Sequence, residues 1–212
     1  MLATSAARAT SGVLLLADIS GYTGFLQAVA LAHRDDPIML ESVPEGYSLV
    51  STLLDVIIDR LVPPMTLSKL EGDAVFAFAD DADEVPRGAG MLACLSACYT
   101  AFRTQLDASE RARTCQCGAC SRGGGLDLKF IVHTGTYVVQ SIGGGRELVG
   151  PQVVMAHRLL KNQGATVVGQ HGYALFTDAA IAGLGIPATG SVAMTETYEH
   201  YPPIDVRVFP LH

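Results

Sequence analysis

Hydrophobic side chains along this chain follow two spacings, and each spacing predicts a different kind of element. Residues 13–17 are five consecutive apolar residues that end at Asp18, a pattern typical of a buried strand. Residues 47–61 instead place apolar side chains three and four positions apart, which predicts an amphipathic helix. Helix-compatible sequence also follows the first strand to about residue 32. Further helices are predicted at residues 85–111, 151–162 and 177–184.

Short extended segments separate these helices and set the expected fold class. They are predicted at residues 65–70, 74–79, 126–133, 136–142, 166–168, 173–176, 192–198 and 205–209. This order of elements is typical of an α+β sandwich whose helices cover one face of a mixed or antiparallel sheet. The chain has 212 residues, for which we expect a disordered tail at residues 1–11 and a single domain at residues 12–212.

Charge and composition exclude some classes of binding partner and indicate where the protein is located. The chain has a formal net charge of -7 and no basic run, which argues against a nucleic-acid partner. No apolar run approaches ~18 residues, so we expect no membrane-spanning segment. The apolar run near the N-terminus is too short for a secretory signal, and it ends in an acid. We therefore expect a cytoplasmic protein.

Two acidic residues stand where a sheet edge would bring them together. Asp18 ends the first strand, and Asp73 lies in the glycine-containing turn between two predicted strands. We expect Ser20 to cap the helix that follows Asp18, so that helix amides lie beside its carboxylate. Such a site suits phosphate oxygens together with a hard divalent cation, Mg²⁺ or Mn²⁺. The alternative is that Asp18 merely caps this helix.

Three of the five cysteines lie in a glycine-rich loop insertion at residues 113–125. Cys115, Cys117 and Cys120 form a Cys-x-Cys-x-x-Cys pattern, which supplies three ligands for Zn²⁺ or for an iron–sulfur cluster. A histidine or a partner subunit would complete the site. The alternative is three reduced thiols with no metal, since thiol clustering of this kind argues against disulfides.

Four stretches resemble the catalytic domain of class III nucleotidyl cyclases, the adenylate and guanylate cyclase family. In the order of the family they are LADISGYTGF at 16–25, KLEGDAVFAF at 69–78, IVHTG at 131–135 and ELVGPQVVMAHRL at 147–159. The chain looks closest to a branch of cyclase-homology proteins that carry a Cys-x-Cys-x-x-Cys loop. The resemblance implies a ferredoxin-like core, with helices packed on a mostly antiparallel sheet. It also implies a homodimer with active sites at the subunit interface.

The first two motifs imply a site for metal and phosphate. Asp18 and Asp73 match the two metal-binding aspartates of the family, and the Ile19 carbonyl matches its backbone metal ligand. The resemblance implies two ions here, Mg²⁺ or Mn²⁺. The amides that match the phosphate loop belong to Ser20, Gly21, Tyr22 and Thr23.

Three further residues match positions that contact the nucleotide in the family. Lys69 falls where adenylate cyclases keep the lysine that reads adenine, and Glu147 falls where its acidic partner sits. Arg158 matches the arginine that stabilises charge on the reacting phosphate. In the family these residues serve a site whose aspartates belong to the other subunit. The implied reaction is attack of the ribose 3′-oxygen of a nucleoside triphosphate, ATP in first place, on the α-phosphate, with release of pyrophosphate.

Two positions depart from the family pattern. Val154 lies where the family has its transition-state asparagine, one helical turn before Arg158. The family also keeps a late lysine near residues 196–201, but no lysine follows Lys161 here. Asn162, on the predicted helix, is a candidate substitute for the missing amide. Three functions therefore stay open: an active cyclase that makes a 3′,5′-cyclic monophosphate, a degenerate homologue that binds nucleotide and metal as a sensor or regulatory domain, and an interaction domain that keeps only the fold.

Overall fold

The computed structural model describes residues 7–34, 43–143 and 145–212. Within these ranges the strands are β1 (Arg8–Ser20), β2 (Thr66–Glu71), β3 (Ala74–Asp80), β4 (Asp127–Ile142), β5 (Gly145–Val149), β6 (Tyr173–Thr177), β7 (Val192–Glu196) and β8 (Ile204–Pro210). The α-helices are α1 (Tyr22–Ala32), α2 (Glu45–Leu61), α3 (Ala89–Ala112), α4 (Pro151–Arg158), α5 (Gly164–Val168) and α6 (Asp178–Leu184). A 3-10 helix occupies Cys120–Gly125.

The strands form one sheet, in which β1 is paired on both sides. Their order is β2-β3-β1-β4-β6-β8-β7, and β5 pairs with the far part of β4. Neighbouring strands are antiparallel except for β4 and β6, which run parallel. The predicted α+β class with a mostly antiparallel sheet is therefore confirmed. The register places Asp18 of β1 opposite Ala74 of β3 on one side and Lys129 of β4 on the other.

Both faces of β1 are buried, which explains its continuous apolar run. Leu15 and Ala17 belong to the core cluster that α1, α2 and α3 cover, whereas Leu14 and Leu16 belong to the cluster on the opposite face. Helices were expected on one face only. Instead, α4 covers part of the second face, where Val153 is buried in the same cluster as Leu14.

β4 runs without interruption where the sequence predicted two strands. The predicted break at Thr134 and Gly135 is a regular part of the ladder, in which Gly135 pairs with Gly12 of β1. The side chain of Gln152 from α4 lies against Gly135, so that a Cβ placed there would be 2.8 Å from the Gln152 Cγ. This glycine therefore permits a close approach of α4 to the sheet and does not form a turn.

The predicted segment at residues 166–168 is helical rather than extended. Its Thr-Val-Val sequence has a high strand propensity, but it lies within α5. Gly169 ends this helix with a φ of 72°, and its amide donates to the Ala165 carbonyl at 2.9 Å. The glycine cap after residue 168 thus outweighs the local propensity.

The N-terminal boundary of the domain also needs correction. β1 begins at Arg8, so residues 8–11 belong to a strand and not to the predicted tail. The rest of that predicted tail, residues 1–6, lies outside the described residues, and so does most of the connection expected between α1 and α2. Of the helices in the described ranges, none is long and apolar enough to cross a lipid bilayer.

Replacing Gly12 by alanine should destabilise the sheet centre. A Cβ at Gly12 would lie 2.0 Å from the Ala79 carbonyl oxygen, which is fixed in β3. Overpacking of this kind costs about 1–3 kcal/mol, so we expect Gly12→Ala to lower the urea midpoint of unfolding. Gly90→Ala on α3 is the matched control, because a Cβ there meets nothing closer than 3.7 Å. Equal midpoints for the two variants would contradict the close packing of β1 on β3.

Candidate functional site

The carboxylates of Asp18 and Asp73 lie near each other at one end of the sheet. Asp18 lies near the end of β1, and Asp73 lies in the turn between β2 and β3. The Ile19 amide donates a hydrogen bond of 3.2 Å to the Asp73 carbonyl, which fixes this turn against β1. Burial raises the pKa of Asp73, and the negative charge of Asp18 raises it further, although Lys129 opposes both effects. A carboxyl group whose pKa is raised by burial and by a neighbouring acid would gain from a bound cation.

Lys129 is a residue of this site that the motifs did not reveal. Its ammonium lies 2.9 Å from the Asp18 carboxylate and donates to the Leu160 carbonyl at 3.0 Å. The two charged side chains are only 16% and 15% exposed, so the pair is largely buried. A signal was present in the sequence, because a lysine inside the otherwise apolar stretch 128–132 needs an acidic partner once the strand is buried.

The predicted phosphate loop forms the turn from β1 into α1. Gly21 adopts a left-handed conformation with a φ of 87°, and α1 begins at Tyr22. Ser20 is the last residue of β1 and does not act as the predicted N-cap. The Phe25 amide donates to the Gly21 carbonyl at 3.0 Å, which is the first turn of the helical ladder. Amides that precede this bond, including that of Thr23, have no partner within the helix and can face a ligand.

Lys69 and Glu147 form an ion pair within one subunit. Their charged atoms are 2.9 Å apart, and Glu71 lies 3.4 Å from the same ammonium. The hydrogen bond to Glu147 raises the pKa of Lys69. On its other side Glu71 lies 2.9 Å from His157 Nε2, while His157 Nδ1 donates to the Val153 carbonyl at 2.7 Å. The two residues that the resemblance assigned to the base are therefore in contact, within a longer chain of charged groups.

The exposed face of α4 carries the other two positions of interest. Arg158 is the last residue of α4, and it is exposed. Among the described residues its guanidinium has no hydrogen bond and no ion pair. Val154, one turn earlier, is 48% exposed. Both side chains are thus available to a ligand or to a second subunit, and neither contributes to the core.

Asn162 lies outside the helix on which the sequence predicted it. It lies beyond the end of α4, so it is not on the same helix as Arg158. Its Nδ2 donates to the Leu159 carbonyl at 2.7 Å, and its Oδ1 accepts from the Gly164 amide at 2.6 Å and from the Tyr173 hydroxyl at 2.9 Å. Three hydrogen bonds hold the side chain between α4 and α5, and the prediction that it shares a helix with Arg158 is wrong.

Glu196 is a buried acid in the segment where the resemblance predicts a lysine. It is 6% exposed, and its carboxylate accepts a hydrogen bond from the Gln163 amide at 2.7 Å and one from the Tyr198 hydroxyl at 3.3 Å. The acid holds β7 against the segment that precedes α5. In the segment where the resemblance implies a lysine, the structure therefore has a buried acid that joins two elements of the fold.

The Cys-x-Cys-x-x-Cys loop meets a histidine from the end of α1. Donor atoms of His33, Cys115, Cys117 and Cys120 all lie within 4.8 Å of one another. His33, more than 80 positions away along the chain, is therefore the candidate for the histidine that the sequence left open. Its position next to α1 could not be related to the loop until the fold was known.

The family to which the chain belongs follows from its central part. Residues 50–169 match the model of a family described as "Protein of unknown function (DUF2652)". The chain belongs to this family. The uncharacterized protein Rv2561/Rv2562 of Mycobacterium tuberculosis is 32% identical over 116 residues, which are 54% of this DUF2652 chain and 52% of that relative. The match thus spans about half the length of the curated relative.

This DUF2652 protein has the fold of class III cyclase domains. The adenylyl cyclase CyaB from P. aeruginosa superimposes with a TM-score of 0.64 at 14% identity, over 98% of this chain and 97% of that one. The guanylyl cyclase Cya2 gives 0.60 at 15% identity, over 99% and 95%. A class III adenylyl cyclase-like ATP-binding protein from Pseudomonas aeruginosa gives 0.55 at 14% identity, over 86% of this chain and 36% of that one. The predicted cyclase-type sandwich is confirmed, and at these identities the likeness concerns the fold.

Asp73→Asn should stabilise the cation-free protein at neutral pH. Since the folded state raises the pKa of Asp73, its ionised form opposes folding. The stabilising effect of the variant should be present above that raised pKa and should fade as the pH falls through it. Thermal unfolding would measure this effect, with Asp59→Asn on the exposed side of α2 as the control.

The same variant should lose its response to divalent cations. Added Mn²⁺ is expected to raise the unfolding temperature of the unmodified protein and of Asp59→Asn, because it binds only the folded site. It should not change that of Asp73→Asn. An equal Mn²⁺ response in all three proteins would contradict a cation site at this end of the sheet.

Proposed function

We propose that this protein binds a nucleoside triphosphate, ATP in first place, with Mg²⁺ or Mn²⁺, and converts it to a 3′,5′-cyclic monophosphate and pyrophosphate. One observation supports the proposal most directly. Asp18 and Asp73 lie near each other, beside the first-turn amides of α1. Carboxylates next to a helix N-terminus suit a cation that is bound to phosphate oxygens. A cytoplasmic location, where nucleotides and Mg²⁺ are abundant, is part of the proposal.

The residues present fit a hard divalent cation. Asp18 and Asp73 supply carboxylate oxygens, and the Ile19 carbonyl adds a backbone oxygen in the proposed site. The electrostatic strain between the two acids supports this fit, since the pKa of Asp73 is raised by burial and by Asp18. When bound, two such ions activate the ribose 3′-oxygen and neutralise phosphate charge.

The ion pair of Lys69 and Glu147 would recognise the base of the nucleotide. Their 2.9 Å contact places a donor and an acceptor side by side. Adenine offers the complementary pair on its Watson–Crick edge, an acceptor at N1 and an amino donor at N6. Cytosine offers a similar pair at N3 and N4, so ATP is placed first because Lys69 matches the lysine that reads adenine in adenylate cyclases. The substrate assay below tests the choice directly.

We further propose that the protein works as a homodimer whose interface contains the active sites. Three large apolar side chains are exposed on elements that carry or adjoin the proposed site: Leu70 is 49% exposed, Ile142 53% and Val154 48%. Arg158 lies on the same helix as Val154 and extends from it without a partner among the described residues. A second subunit would bury these side chains and bring its Arg158 to the phosphates.

In the proposed reaction the bonds that form and break belong to the nucleotide, and the protein groups bind and stabilise it. The ribose 3′-oxygen forms a bond to the α-phosphorus, the bond to the bridging oxygen breaks, and pyrophosphate leaves. The proton of the 3′-hydroxyl passes to solvent. Arg158 would stabilise the charge that develops on the α-phosphate, and the α1 amides would hold the triphosphate.

A second candidate function is binding without turnover, as a sensor or regulatory domain. Three observations favour it. Val154 stands where the family has an asparagine, Asn162 is held by three hydrogen bonds, and residues 196–201 contain no lysine but a buried acid, Glu196. These differences affect groups that act in the transition state and leave the Asp18–Asp73 pair intact. Binding and turnover therefore have to be measured separately.

The first test is product formation with Mn²⁺ and each of ATP, GTP, CTP and UTP. Mass spectrometry should detect a cyclic monophosphate, and the Asp18→Asn variant should form none because it lacks a cation ligand. Arg158→Ala should bind nucleotide normally and turn over roughly 10²–10³ times more slowly. Equal product from Asp18→Asn would refute the site. Mn²⁺-dependent binding of a fluorescent ATP analogue without any product would select the second candidate.

Val154→Asn should increase turnover. The asparagine would place an amide donor one turn before Arg158, on an exposed face where it disturbs no core packing. A preorganised donor of this kind is worth about 10²–10³ in rate, which sets the upper limit of the gain. The control is Val167→Asn on α5, since Val167 is also exposed, at 39%. An equal rate for both variants would show that Val154 is not the limiting departure.

A further inference from the structure

We propose that His33, Cys115, Cys117 and Cys120 form a structural zinc site that joins the end of α1 to the loop before β4. The four residues take no part in the nucleotide chemistry described above. The assignment does not depend on the proposed function, and its test does not require activity. The argument has three steps, which concern geometry, ligand chemistry and the place of the site in the fold.

The distances between the donor atoms are close to the edge lengths of one tetrahedral zinc site. His33 Nε2 lies 3.1 Å from Cys117 Sγ, 3.5 Å from Cys120 Sγ and 3.7 Å from Cys115 Sγ. Zinc bonds of about 2.3 Å to sulfur and 2.0–2.1 Å to nitrogen give tetrahedral edges of roughly 3.5–3.8 Å. All four donors lie within 4.8 Å of one another, so small side-chain rotations suffice to bind one ion.

The ligand set selects zinc over the other metals considered from the sequence. Three thiolates and one imidazole are the donors of structural zinc sites, which are closed to solvent ligands. The group contains no carboxylate, so it does not suit Mg²⁺ or Mn²⁺. Its donors converge on a volume for a single ion, whereas an iron–sulfur cluster needs ligands spread around several atoms. Four protein ligands also leave no open position for a substrate, which indicates a structural role.

The surrounding hydrogen bonds hold the ligands in place. The Cys120 amide donates to Cys117 Sγ at 3.2 Å, a bond that stabilises a thiolate. Glu45, at the start of α2, accepts a hydrogen bond of 3.0 Å from the Cys115 amide. Arg113 donates to the Cys115 carbonyl and brings a positive charge beside the loop. One Zn²⁺ with three thiolates carries a net charge of −1, and the Cys120 amide would stabilise part of it.

The site lies at the C-terminal end of α1. Two of the eleven residues of α1 are buried, Phe25 and Val29, and three more pack against the core while partly exposed. His33 is the residue directly after α1. At the other end of α1, the backbone of Gly21 closely approaches Gly125, the last residue of the 3-10 helix that Cys120 begins. Zinc at His33 would therefore fix α1 at the end opposite the proposed phosphate loop.

The metal content of the full chain tests this proposal. Protein purified without a metal-affinity resin should contain one zinc per chain by mass spectrometry, and Cys117→Ser should lose it. Cys94→Ser is the control, because Cys94 lies on α3 outside the cluster and should leave the zinc content unchanged. Alkylation mapped by mass spectrometry gives a second readout on the unmodified protein. Cys115, Cys117 and Cys120 should be protected until a chelator removes the metal.

Cobalt replacement tests the ligands themselves. Co²⁺ bound to the metal-free protein should give thiolate charge-transfer bands and the intense visible bands of a tetrahedral site. Cys115→Ser should lower the charge-transfer intensity by about a third, and His33→Gln should shift the visible bands. We expect His33→Gln to weaken Co²⁺ by more than the 10–100-fold typical of losing an outer hydrogen-bond partner. An unchanged spectrum in His33→Gln, iron with acid-labile sulfide in the protein, or no thiolate bands at all would overturn the assignment.

Discussion

The pairing of β1 on both of its edges is the constraint on which the rest of the structure depends. This strand carries the centre of both hydrophobic clusters, and its register determines what meets at its end. With Asp18 opposite Ala74 and Lys129, the turn that holds Asp73 has to lie beside it. A shift of one residue would turn Asp18 to the other face of the sheet and separate the charged groups. The proposed chemistry thus depends first on strand register, because the register decides which side chains lie together.

Much of the fold followed from the period of the hydrophobic pattern, and the errors have physical causes. The apolar run of β1 and the three- and four-residue spacing in α2 predicted the correct elements because burial dominates both. Gly135 was taken for a turn, although it serves the close approach of Gln152, and only a tertiary neighbour distinguishes these roles. Likewise, the β-branched residues of α5 favour a strand, and the glycine cap after them decides otherwise.

Site residues could be predicted where their sequence neighbours carried the information. Asp18, Asp73, Lys69 and Glu147 stand in motifs, and the structure brings each pair together. His33 and Lys129 stand in no motif of their own. Their partners are distant in sequence and come near only through the path of α1 and the β1–β4 ladder. Asn162 is the opposite case, since its spacing from Arg158 suggested a shared helix, but α4 ends before it.

The ion pair between Lys129 and Asp18 has a consequence for how any cation would enter. An ammonium already neutralises one of the two carboxylates, so binding a divalent ion would be an exchange of one positive charge for another and not a simple addition. Such an exchange favours ions of high charge density, because a monovalent ion gains little over the lysine that it displaces. It also lets the chain fold with this buried charge compensated when no ion is at hand. Occupancy would then follow the supply of divalent cation and nucleotide together, and the empty and loaded states would both be stable folded forms.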